Sequence, residues 1–97
     1  MIGPYEELQN RLTNHKGKIR KISINWNASD GGPRMDVRLV GDNDHTLDEW
    51  NDWMILGTRE DPGAGLCSID YIVTSVLGAG AIQNCEAGSF YRRYEIR

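Results

Sequence analysis

The sequence predicts an α+β fold: a four-stranded, mainly antiparallel sheet with two helices packed on one face, in the order α-β-β-α-β-β. Three observations lead there. Ile22, Ile24 and Trp26 alternate with polar residues, as do Met35, Val37 and Leu39, and a Gly-rich turn separates the two runs. Two other stretches space their apolar residues at helical intervals. The 97 residues, 39% hydrophobic and 26% charged, suit one small globular domain spanning 1–97 with one modest core.

The elements follow in order. Pro4 suits the first position of a helix, because its missing N–H would have no partner there. Glu6 and Glu7 complement the positive end of that helix, and His15 and Lys16 the negative end. Tyr5, Leu8 and Leu12 form its apolar stripe, and Gly17 stops it. Lys18 to Trp26 is a half-buried strand, Asn27 to Pro33 a turn, and Met35 to Leu39 the returning strand of a hairpin.

Thr46-Leu47-Asp48-Glu49 has the pattern of a capping box. With Leu47, Trp50 and Met54 at i, i+3 and i+7, it predicts a second helix ending near Gly57. Thr58 to Gly65 then reads as a loop. Cys67 to Leu77 fits either a strand or a helix. Its β-branched content favours a strand, since such side chains lose rotamer freedom in a helix. Gly78 to Gly88 reads as a loop of small residues, and Ser89 to Arg97 as the last strand.

The formal net charge is −3, unevenly spread. Residues 1–41 carry seven basic and four acidic side chains, whereas 42–61 carry seven acids and one Arg. The overall balance argues against a dedicated nucleic-acid partner. The basic run from His15 to Lys21 reads as a solvated sheet edge, where lysines discourage strand addition. No apolar leader follows Met1, and no apolar run approaches the ~20 residues needed to span a bilayer, so a cytoplasmic location without membrane attachment is expected. Cys67 and Cys85 are too few for a disulfide scaffold and read as reduced, half-buried thiols.

No motif marks a catalytic set, and no cofactor is expected. Asp42, Asp44, Asp48 and Asp52 supply oxygen ligands, but an EF-hand loop starting at Asp42 would need Gly at Leu47 and Glu at Trp53, so no metal site is assigned. Gly63-Ala64-Gly65 and Gly78-Ala79-Gly80 are only fragments of phosphate-binding loops.

Two functional readings remain. In the first, the chain is a non-catalytic accessory protein that binds another macromolecule through an acidic, Trp-containing face. Asp44, Asp48 and Asp52 would steer the partner, and Trp50 or Trp53 would anchor it. In the second, a small molecule, a ligand or an enzyme's substrate, fills a pocket between helices and sheet lined by Trp26, Tyr71 and Tyr94. A homodimer fits either reading, because a sheet covered on one side leaves a face or an edge to be paired.

Overall fold

A computed structural model describes residues 2–29, 31–54 and 62–97. Its elements are α1 (Pro4–Asn14), β1 (Lys21–Ser29), β2 (Gly32–Val40), β3 (Thr46–Trp53), α2 (Pro62–Leu77), β4 (Ile82–Ala87) and β5 (Tyr91–Ile96). The strands form one antiparallel sheet in the order β3-β2-β1-β5-β4. The fold is thus α+β with five strands rather than four, and the order is α-β-β-β-α-β-β.

The hairpin of β1 and β2 places Trp26 opposite Met35, Ile24 opposite Val37 and Ile22 opposite Leu39. These six side chains are buried under Leu8 and Leu12 of α1 and Leu66, Ile69 and Val73 of α2. Burying one such side chain stabilises by about 1.5–3 kcal/mol, so this face of the sheet is where the helices must sit. Gly17 follows α1 with φ +91°, a conformation that side chains resist, and the chain turns there towards β1. β1 lies at the centre of the sheet, with β5 on its other side. The basic run therefore leads into the middle of the sheet and not along an edge.

Three expectations are corrected. Residues 46–53 form strand β3, not a capped helix. Their period-2 pattern is obscured because the residues turned towards the helices, Asp48, Trp50 and Asp52, are mostly polar. They meet the polar flank of α1, where Arg11 and His15 contact Asp48. Residues 67–77 belong to a helix. Leu66, Ile69 and Val73, at i, i+3 and i+7, face the core, and their burial outweighs the modest rotamer cost of β-branching. Pro62 to Gly65, expected as loop, form its first turn. Finally, 82–87 is an edge strand in what was read as loop. Only Ile82 is partly buried, so no hydrophobic alternation announces it, and it is held by backbone pairing to β5. The expected helix end at Gly57 and the loop from Thr58 through Asp61 lie outside the described residues.

Candidate functional site

Most described acids of the 42–61 stretch pair with cations of the same chain. Asp42 pairs with Arg20 at 3.2 Å and Asp44 with Lys21 at 3.3 Å. Asp48 accepts from Arg11 at 2.9 Å and stands 3.4 Å from His15 Nε2. Arg11 also reaches Glu7 at 2.7 Å and lies over the Trp50 ring, 4.5 Å from its centroid. Asp48, Trp50 and Asp52 thus share the helix-side face of β3, under α1. Trp53, expected beside Trp50 on one helix side, projects to the opposite face and is 55% exposed. Asp44 lies apart from them, in the turn before β3.

The residues of the second reading are also separated. Trp26 and Tyr94 are core residues, whereas Tyr71 lies exposed on α2. The Tyr94 hydroxyl hydrogen-bonds Asp70, which also accepts from Arg92 Nε at 3.0 Å and 3.1 Å. Cys67 and Cys85 are free and exposed rather than half-buried. Among the described residues, no group of three or more His, Cys, Asp or Glu side chains converges as a metal site.

One member of the β3 set carries an electrostatic cost. Burial pushes the Asp52 carboxyl above its ordinary range; the charge of Glu7 adds to this, and Arg11 and the neighbouring Trp50 indole partly offset it. Its Oδ2 and the Trp50 indole N–H are buried without a hydrogen-bond partner among the described residues. A carboxyl whose pKa rises on folding favours the fold while protonated and opposes it once ionised. Asp52→Asn is therefore expected to raise stability at pH 7, with the gain shrinking as the pH falls through the carboxylate range and the Asp52 carboxyl becomes neutral. Asp48→Asn should act in the opposite direction at pH 7, because it breaks the ion pair with Arg11. Urea denaturation at neutral and at acid pH checks both signs.

The other face of the sheet is covered by no described element. Register fixes what lies there. Ser23 of β1 stands between Arg38 of β2 and Arg93 of β5. Asn25 stands between Asp36 and Tyr91, and Lys21 between Val40 and Glu95. Short side chains on the central strand between longer neighbours leave a trough. Two concavities, of about 400 Å³ and about 640 Å³, meet at Ser23 and Arg38. At its rims, Arg34 approaches the Trp53 ring at 5.8 Å and Arg93 the Tyr91 ring at 4.8 Å.

The chain matches no protein-family model, no curated protein and no solved structure.

The cations of this face differ in how far they are neutralised. Arg34 pairs with Asp36 at 2.9 Å, which also accepts from the Asn27 amide. Arg38 donates to Thr46 Oγ1 at 2.8 Å and 3.1 Å, and its nearest carboxylate, Glu49, is 3.9 Å away. Arg93 donates to Asn25 Oδ1 at 3.0 Å and to the Ile24 carbonyl at 3.3 Å, with no ion pair among the described residues. In the sequence, Arg38 alternates with Met35, Val37 and Leu39, and Arg93 shares one side of the last strand with Tyr91 and Glu95, but nothing makes the two neighbours. Their alignment depends on the pairing of β1 with β5, two segments far apart in the chain.

Proposed function

We propose that this chain is a non-catalytic, macromolecule-binding domain, and that its contact surface is the uncovered face of the sheet. The observation that carries this reading is the composition of that face: Trp53, Tyr91, Arg34, Arg38 and Arg93 surround a floor of Ser23 and Asn25. Trp, Tyr and Arg are the residues that dominate binding energy at protein interfaces. Here the aromatic rings are held by guanidinium groups, so less side-chain freedom is lost when a partner docks. The proposal keeps the class of function expected from the sequence. It moves the surface from the acidic segment, where Asp42, Asp44 and Asp48 are engaged by cations of the same chain, to the arginine-bearing face.

The test is site-specific photo-crosslinking in the cells that make the protein. A benzophenone side chain at Asn51, on the uncovered face, is expected to capture a second macromolecule, and the same group at Gln9 on α1 is not. Arg38→Glu should remove the Asn51 adduct by at least about tenfold, because it reverses a charge within the contact. An adduct that survives Arg38→Glu, or one formed only from Gln9, would sink the proposal.

A further inference from the structure

We infer that the row Arg38–Ser23–Arg93 is a carboxylate-binding position, filled by an Asp or Glu side chain of a partner protein. The inference rests on the reading of this face as the contact surface and adds the chemistry of what it contacts. The three residues lie side by side on adjacent strands, so their Cα atoms are spaced by about 4.8 Å per strand. A carboxylate above Ser23 therefore has one guanidinium on either side and a hydroxyl beneath it. The Ser23 hydroxyl makes no hydrogen bond with any described residue, so its donor is available. Both guanidiniums are oriented from behind by neutral acceptors, Thr46 for Arg38 and Asn25 for Arg93. These neutral partners position the cations, and Glu49, 3.9 Å from Arg38 Nε, offsets the charge of Arg38 only in part. This is the arrangement that charge-assisted, forked recognition of a carboxylate needs.

The surroundings select the ligand class. Arg34 and Lys21, the other cations of the face, already hold Asp36 and Asp44. Glu49 and Glu86 stand abreast of Arg38 and Arg93 at the two ends of the row, and Glu95 lies one outward position further along β5. A single negative charge gains from the two arginines. A polyanion such as a nucleic-acid backbone would carry further charges onto those flanking acids and be repelled. The flanking acids fit a partner segment in which the inserted acid is bordered by neutral or basic residues.

The experiment is a nuclear magnetic resonance titration of the full chain. It follows the Nε–H signals of Arg38 and Arg93 and the backbone amide of Ser23. The probe is a capped octapeptide of Ser with a single central Glu, compared with its Gln counterpart and with acetate. The Glu peptide is expected to shift all three signals saturably. Arg38→Gln and Arg93→Gln should each weaken it at least tenfold, whereas Arg34→Gln should change it less than twofold. The Lys variants at 38 and 93 keep the charge and lose the fork, and should fall between. The result that overturns the inference is no saturable shift at these signals, equal binding of the Gln peptide, or acetate binding with the same midpoint. Equal binding of the Gln peptide would overturn the carboxylate position and leave the contact surface standing. Whether that surface itself stands is decided separately by the crosslinks from Asn51 and Gln9.

Discussion

Gly65→Ala is expected to lower stability by about 2 kcal/mol, although the same change inside an ordinary helix raises it by about 1 kcal/mol. Gly65 lies in the first turns of α2, where the buried Trp26 ring of β1 presses against the helix backbone. A Cβ at this position would stand 2.3 Å from two carbons of that ring. The indole is rigid and enclosed, so relief requires the helix to lift from the sheet. Urea denaturation gives the loss directly. A double-mutant cycle with Trp26→Leu should return most of it, because the smaller side chain vacates the space. A midpoint that rises on Gly65→Ala alone would mean that the ring and the helix are not in contact.

Asp70→Ala is expected to cost about 2 kcal/mol. Asp70 fastens α2 to β5 by accepting from Arg92 and from the Tyr94 hydroxyl. The Arg92 side chain is only 11% exposed; without Asp70 it keeps just the carbonyls of Gly88 and Tyr91. Breaking a fully buried pair costs about 3–5 kcal/mol, but the Asp70 side chain is 39% exposed, and water at that end reduces the loss. Asp70→Asn retains an acceptor for Tyr94 and should lose about half as much. The Tyr94 phenol supplies a second readout. Burial, and then the bond to Asp70, hold it well above the ordinary tyrosine value. Its ionisation, followed by absorbance, should therefore begin at lower pH in Asp70→Ala. A stability change within about 0.5 kcal/mol, typical of a surface substitution, would show that the clamp contributes nothing.

What the sequence disclosed depended on how completely each element is buried. The β1–β2 hairpin was legible because Ile22, Ile24, Trp26, Met35, Val37 and Leu39 alternate without exception and all face the core. α1 was legible from Pro4, its acidic first turn, and Leu8 and Leu12. β3 was not. It lies at the margin of the helix layer; of the residues it turns inward, Asp48 meets Arg11 and His15, and Trp50 alone packs against the apolar core. In α2, Ile69 and Val73 fit a strand pattern together with Tyr71 and a helix pattern together with Ile72. Only the placement of Leu66 and Val73 on the same core as Ile69 separates them. β4 had no side-chain pattern to detect. The candidate site was legible residue by residue and not as a site. Arg38 and Arg93 each alternate outward, and Ser23 lies on the polar side of β1. That the three stand abreast follows from pairings between residues 15 and 70 positions apart.

The central position of β1 has a consequence for how the chain comes into being. The pairs Asn25↔Tyr91 and Lys21↔Glu95 join segments 66 and 74 positions apart. The meander β1–β2–β3 is local and is complete in sequence by Trp53. During synthesis, the backbone N–H and C=O groups on one side of β1 must then wait, unpaired, until β5 emerges. In that interval β1 is not the middle of a sheet but its open border, carrying Ile22, Ile24 and Trp26 without a full cover. Long-range closure of this kind slows folding and prolongs exposure of that border. The strand that ends as the best protected in the molecule is, for the nascent chain, the one most open to pairing with a stranger.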